Sequence, residues 1–201
     1  MRTETTHPAT DDPFAAPLTD AWLVARARGD RAAFAPLYDR YFGPVFRFCF
    51  YRVGDWQEAE DATADIFANV LAGLPRFQLG DRDDGFRCWL FTIARNVVAN
   101  RRRGQRFDAP LAAAADLPDA APSPEEAAFA DDDHRLVRSL LARLKPDQRD
   151  LLELRLAGLN DAEIARVLGR SHDAVRKEQS RTIQLLRSLI NDNHESGAPH
   201  G

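Results

Sequence analysis

Cysteine is nearly missing from this chain, with Cys49 and Cys88 the only two. By themselves they cannot build a disulfide framework or a four-ligand zinc site. The histidines, His7, His134, His172, His194 and His200, are scattered, with no HExxH and no tight Cys/His spacing. A glycine-rich phosphate loop and a GxSxG elbow are missing as well. Metal and nucleophile chemistry therefore have no footing. The expectation is no catalytic residue, no metal, no cofactor and no small-molecule substrate. No stretch approaches the roughly 18 uninterrupted apolar residues of a membrane span. The segment from Met1 to Pro17 carries Glu4, Asp11 and Asp12 and lacks the basic start and apolar block of a secretory signal. A cytoplasmic protein without membrane insertion is expected. What remains is 201 residues, 44% apolar and 29% charged, a composition that suits a soluble globular chain of one domain or two small ones.

Lysine is scarce too, since Lys145 and Lys177 are the only ones and the other bases are arginine. Arginine favours bidentate contacts to phosphates and base edges. A formal net charge of −4 argues against a nucleic-acid partner until its distribution is examined. From Phe86 to Arg106 the bases are Arg87, Arg95, Arg101, Arg102, Arg103 and Arg106 with no acid, a local charge of +6. From Phe107 to His134 lie Asp108, Asp116, Asp119, Glu125, Glu126, Asp131, Asp132 and Asp133 with no Lys or Arg, a local charge of −8. From Asp55 to Val70 the acids Asp55, Glu58, Glu60, Asp61 and Asp65 stand without a base, a local charge of −5. Binding responds to potential within about one Debye length, roughly 8–10 Å, so the segregation outweighs the total.

The chain divides into five stretches. Residues 1–17 and 193–201 read as disordered tails. Residues 107–134 hold Pro110, Pro118, Pro122, Pro124 and the run Ala112–Ala115 with almost no large apolar residue, so they cannot bury a core and read as an acidic linker. The modules on either side, 18–106 and 135–192, are both helical in pattern. The expected fold is all-α, a helical bundle and a helix-turn-helix unit joined by that Ala/Pro-rich tether.

In the first module, Thr19 or Asp20 can cap a short helix that carries Trp22, Leu23 and Ala27 and ends at Gly29. Asp30 is expected to cap a helix with Phe34, Leu37, Tyr38, Tyr41, Phe42, Val45, Phe46 and Cys49 at helical spacing, and Pro44 predicts a kink in it. Asp55 with Glu58 is a capping-box variant that opens a helix with Ala59, Ala62, Ile66, Val70 and Leu74 on one face. A loop over 75–85 leads to the helix 86–103. There Phe86, Trp89, Leu90, Ile93 and Val97 form one stripe, Arg87, Arg95 and Arg102 project away, and Asn96 and Arg103 sit at the border. Six bases without an interleaved acid point to a nucleic-acid surface, because a merely solvated face mixes signs for i,i+4 support.

In the second module, Leu136, Leu140, Leu141 and Leu144 form a stripe ended by Lys145-Pro146. Pro146 suits the first turn of the next helix, which carries Leu151, Leu152, Leu154 and Leu156 and closes at Gly158. Asn160 with Glu163 starts a short helix that Gly169 ends. Ser171 caps a long one with Val175, Gln179, Thr182, Ile183, Leu186 and Ile190 inward. Two helices across a short Gly-containing turn make a helix-turn-helix pattern. A recognition helix puts its N-terminal residues on base edges and flanking bases on phosphates, roles that Ser171, His172, Arg176, Lys177 and Arg181 fit.

Four stretches now stand in order: RARGDRAAFAPLYDRY (26–41), EAEDATADIFANVL (58–71), FRCWLFTIARNVVANRRR (86–103) and the run from Leu144 to Leu189. Together they resemble the extracytoplasmic-function (ECF) group of bacterial RNA polymerase sigma factors. The resemblance implies a subunit that docks on core polymerase and directs promoter recognition, melting and initiation. It implies core binding through Glu58, Glu60, Asp61 and Asp65. It implies that Phe77, Asn96 and Asn100 read minus-ten bases while Arg87, Arg95, Arg101, Arg102 and Arg103 hold phosphates. Arg176, Lys177 and Arg181, with Ser180, then read the minus-thirty-five element. An inhibitory anti-sigma partner is implied by the resemblance alone. Ala64 stands where members often have Gln, and Asp173-Ala174-Val175 where Gly-Thr-Val is common, departures that bear on core affinity and minus-thirty-five strength. Two rival readings are a dimeric helix-turn-helix regulator, which would bind a palindromic duplex without polymerase, and a helical enzyme using Cys49, Cys88 or a carboxylate pair, for which no cluster is seen.

Overall fold

The computed structural model describes residues 19–78, 85–107 and 132–196, with side chains described over 19–78, 85–101 and 134–191. The proposed tails and most of the proposed linker, like Arg106, Asp108 and the acids up to Asp133, lie outside the described residues or side chains. Among the described residues there are helices and no strands. We number them α1 (Asp20–Gly29), α2 (Ala35–Val53), α3 (Trp56–Gly73), α4 (Gly85–Phe107), α5 (Asp132–Ala142), α6 (Pro146–Leu156), α7 (Asp161–Leu168) and α8 (His172–Ser196).

Local chemistry sets the starts and stops. Thr19 Oγ1 accepts from the Trp22 N–H at 3.3 Å and caps α1. Asp20 instead turns inward, where the Arg40 guanidinium at 2.5 Å and the Tyr41 hydroxyl donate to its carboxylate. Asp30 caps a single 3-10 turn, Arg31–Phe34, before α2. Pro36 sits in the first turn of α2, where its missing N–H has no intrahelical acceptor to lose. The helix runs on through Pro44 without a break. Asp55 accepts from the Glu58 N–H at 2.8 Å and opens α3.

The helices pack around α4. On one side it meets α2 and α3, with Phe48 and Phe91 edge to face at 6.0 Å; on the other it meets α7. Leu151, Leu154, Leu159, Ile164 and Val167 belong to the same buried cluster as Phe86, Leu90, Phe91 and Val98, so one apolar core runs through both helical groups. This explains a difference from the sequence pattern. The stripe expected on α4 was narrow, yet Cys88, Phe91, Ala94 and Val98 are buried while Trp89, Ile93 and Val97 are only half-buried. A helix sandwiched between two partners hides more than one face.

Several apolar residues of the helical patterns lie at the surface, including Ile183 and Ile190, which were expected inward. Trp22 is exposed, with Arg26 over its ring at 4.9 Å, and Val24 takes the inner position. Tyr38 and Phe42 are exposed on α2, and Leu136, Ile183 and Ile190 on the second group. For Ile190 the reason is length. The 25 residues of α8 compare with 11 in α6 and 8 in α7, so its second half extends past the helices that cover Val175 and Thr182, whereas Ile183 adjoins buried Thr182 and lies outside the covered arc.

Both cysteines are buried within this core. Burial pushes the Cys49 thiol up to about 12, and a thiol, unlike a thiolate, is a poor nucleophile. Ellman's reagent at pH 8 should therefore titrate neither cysteine in the native chain and both in denaturant. Rapid native reaction of Cys49 would show that the α2–α3 packing around it opens readily.

Candidate nucleic-acid interface

The helix-turn-helix is held by short-range bonds. Asn160 Oδ1 accepts from the Glu163 N–H at 3.0 Å, and Glu163 Oε2 accepts from the Asn160 N–H at 2.7 Å, a reciprocal cap for α7. Gly169 closes α7 in the left-handed region, φ 64°, where a side chain would be strained. Ser171 Oγ then accepts from the Ala174 N–H at 3.2 Å and starts α8. Arg155 reaches from α6 to the Leu159 carbonyl at 3.1 Å, to Gln179 Oε1 at 3.0 Å and to the Asp161 carboxylate. That clamp sets the angle between the turn and α8.

With Val175 and Thr182 inward, α8 turns the opposite half of its circumference to solvent. His172, Arg176, Lys177, Ser180 and Arg181 are all exposed there. Arg176, Ser180, Gln184 and Arg187 border an open groove of about 350 Å³ against Asp161. Arg181 is 73% exposed, its nearest acid Glu178 being 3.9 Å away. Arg176, Lys177 and Arg181 thus give this face of α8 a positive charge.

The first module is different. The sequence of α4 has no acid to offset its six arginines, but the three whose side chains are described, Arg87, Arg95 and Arg101, each pair with an acid from another helix. Arg87 donates to the Gly158 carbonyl at 2.7 Å and to Glu163 Oε1 at 3.4 Å. Arg95 Nε donates to Asp150 Oδ2 at 2.8 Å, and Arg101 Nε to Asp65 Oδ2 at 3.0 Å. The acids missing from the sequence of α4 arrive from α3, α6 and α7. Asn96 and Asn100 are exposed on α4, whereas Arg102 and Arg103 lie on its backbone with side chains outside the described residues.

Phe77 is half-buried, stacked on Trp89 with centroids 4.5 Å apart. Trp89 can lie so close because Gly73 has no side chain; a Cβ there would sit 2.8 Å from its ring. Arg28, Arg76, Phe77 and Gln78 border an open groove of about 680 Å³. Arg28 Nε donates to the Leu74 carbonyl at 3.3 Å and so braces the turn before Phe77. No local pattern points to Arg28 at this site, because 46 residues separate it from its acceptor.

On α3, Glu58, Glu60, Asp61 and Asp65 are exposed along one helix, with Asp65 shared with Arg101. Beside them, the exposed Tyr38 packs on Phe67 of α3 at 4.7 Å and on Phe42 at 5.4 Å. The surface is therefore mixed, acidic with an aromatic edge. Helical spacing alone does not separate Tyr38 and Phe42 from the buried residues of α2, so that edge was not legible in the sequence. Among the described residues no group of His, Cys, Asp and Glu could hold a metal ion, and no helix is long and apolar enough to cross a membrane.

Comparison with known proteins follows the same division. The family model for Sigma-70 region 2 matches residues 37–107, and that for Sigma-70, region 4 matches residues 134–186. The chain is 36% identical to the ECF RNA polymerase sigma factor BldN of Streptomyces coelicolor, over 85% of this chain and 65% of that relative's length. It is 35% identical to the ECF RNA polymerase sigma factor ShbA of Streptomyces griseus, over 83% of this chain and 93% of the relative. Among solved structures it shares the fold of CnrH, seen in complex with the cytosolic domain of CnrY, at a TM-score of 0.64 and 24% identity, over 85% of this chain and 96% of that one. RpoE of Bartonella quintana, solved with the anti-sigma factor NepR, aligns at a TM-score of 0.55 and 21% identity, over 79% of this chain and 96% of that one. The chain belongs to the ECF group of RNA polymerase sigma factors.

Proposed function

We propose that this chain docks on core RNA polymerase and gives it promoter specificity, acting in the cytoplasm and without catalysis of its own. The observation that carries the reading is α8, capped and clamped in a helix-turn-helix with His172, Arg176, Lys177, Ser180 and Arg181 in solvent. In this proposal residues 18–106 bind core and the minus-ten element, and residues 135–192 bind the minus-thirty-five element. The acids of α3 meet a basic surface on the polymerase, where opposite charge speeds docking. Melting requires bases drawn from the duplex to be held by stacking and edge hydrogen bonds while cations hold the strand. Phe77 with Trp89, and Asn96 with Asn100, supply the first; Arg87, Arg95 and Arg101–Arg103 supply the second. Ser171 contributes its hydroxyl and the N-terminal end of α8 to a phosphate. An anti-sigma factor is a further proposed partner, by likeness to the RpoE–NepR pair.

The test is reconstitution of core polymerase with the full chain on a promoter library. Initiation at a shared pair of elements is expected, with little duplex binding by the chain alone. No initiation on any template overturns the proposal, and tight polymerase-free binding to a palindrome would favour a dimeric regulator. Within it, Arg176→Ala should cost about 1–3 kcal/mol of discrimination if the guanidinium reads a base edge. Minus-thirty-five selection should then relax in the same library, while selection at minus ten stays as it was.

A further inference from the structure

The groove on the outer side of α8 has an acid set among its polar and cationic side chains. Arg176, Ser180, Gln184 and Arg187 border it from α8, and Asp161 borders it from the first turn of α7. The start of α7 favours a carboxylate, since unpaired backbone N–H groups and the positive end of the helix dipole meet it there. Toward DNA the same carboxylate is a liability, because it competes with the nucleic acid for a nearby guanidinium. Helix α7 and the DNA-facing groove thus make opposite demands on one residue.

Arg155 meets both demands. From α6 it donates to the Asp161 carboxylate, to the Leu159 carbonyl at 3.1 Å and to Gln179 Oε1 at 3.0 Å. A planar guanidinium serves three acceptors in a fixed fork, which an ammonium does not. The carboxylate is engaged by α6 rather than by α8, and Arg176 stays exposed to solvent. A groove of about 350 Å³ is on the order of 9 Å across, about one Debye length, so a carboxylate released on one wall acts on a guanidinium on the other.

We propose that Arg155 is a positioning residue for minus-thirty-five reading: by holding Asp161 it keeps that carboxylate off Arg176, whose guanidinium stays open to a base edge. This rests on the proposed minus-thirty-five role of Arg176. Arg155 acts without touching DNA. Its side chain is 34% exposed and that of Asp161 27%, so the pair adds little to stability and its effect is read in selection instead.

The test has two readouts: minus-thirty-five discrimination by the full chain with core polymerase on the promoter library, and the Arg176 Nε–H nuclear magnetic resonance signal of the chain alone. Arg155→Ala should lose about tenfold in discrimination, comparable with Arg176→Ala, because the freed carboxylate takes the guanidinium from its base. Adding Asp161→Asn should return selection to within about twofold of native, although the bonds to Leu159 and Gln179 are still missing. Arg155→Ala placed on top of Arg176→Ala should cost less than about twofold more, since two changes acting through one guanidinium are not additive. In the chain alone, proton exchange at Arg176 Nε should slow in Arg155→Ala and recover when Asp161→Asn is added. Undiminished selection in Arg155→Ala, a loss that Asp161→Asn does not restore, or an unmoved Arg176 signal overturns the proposal. Should Arg155→Ala fail to fold, Arg155→Gln keeps a donor for the Leu159 carbonyl without the charge and should show the same loss and the same recovery. The promoter reading fails separately, by absence of initiation with the native chain on every template, whereas the Arg176 signal needs no polymerase.

Discussion

Replacing Arg52 with alanine should cost the folded chain about 3–5 kcal/mol, the usual consequence of stranding a buried charge. Arg52 is 11% exposed and pairs with Asp150, 12% exposed, and with Glu153, wholly buried. Its guanidinium also lies 5.8 Å from the Phe48 ring centroid. Burial alone would raise both carboxyls. At Asp150 it is outweighed by Arg52 and Arg95, which hold that carboxyl below its usual value. At Glu153 burial wins, and the carboxyl stays above its usual value despite Arg52 and Arg149. Asp150 therefore adds stability above its ordinary pKa, and that stability fades as pH falls through the lowered one. Glu153 works in the opposite sense, favouring the fold as pH falls through its raised value.

Without Arg52 the Asp150 carboxyl should rise from its lowered value and that of Glu153 should rise further, and protonation would relieve the stranded charge. Urea unfolding should then show a larger loss at pH 7.5 than at pH 5. Arg52→Met with Arg149→Leu, Asp150→Leu and Glu153→Leu should recover most of it, since apolar side chains can replace a buried ionic cluster at little cost when no buried charged partner is left behind. A loss below about 1 kcal/mol at pH 7.5 would mean that water screens this network as it screens surface pairs.

That cluster also shows where sequence reading stops. Caps are local, so Asp55 with Glu58, Asn160 with Glu163, Gly169 and Ser171 were all legible, and the helix starts they mark are those observed. The outward half of α8 was legible too, because one helix periodicity determines which residues oppose Val175 and Thr182. Pairings such as Arg87 with Glu163, 76 residues apart, or Arg95 with Asp150, 55 apart, leave no periodic trace. Counting acids within 86–106 correctly found none, but charge is neutralised in space rather than along the chain. The same limit misassigned Ile183 and Ile190: spacing identifies a continuous apolar face but not how wide or how long a strip of it the neighbouring helices cover.

The acidic face of α3 is the part of the proposed machinery whose failure would be most informative. Asp61→Lys with Asp65→Lys should weaken core polymerase binding about 100-fold, or about 2.7 kcal/mol, because reversal converts each attraction into repulsion. The two positions are not equivalent. Asp61 has no ion-pair partner among the described residues, so its reversal acts on the partner surface alone, whereas Asp65 holds Arg101. Asp65→Lys would set two cations together within the chain, and Asp65→Asn is the matched control that avoids it. Both side chains are exposed, so neither single change should move stability by more than about 0.5 kcal/mol. Titration of labelled chain with core at 0.1 M salt should show Asp61→Lys alone losing about tenfold, mainly in association rate. The difference from the native chain should shrink as salt rises, since screening falls hardest on exposed charges. Affinity unchanged by both reversals would place core recognition elsewhere, and the aromatic edge of Tyr38 and Phe42 would become the next surface to vary.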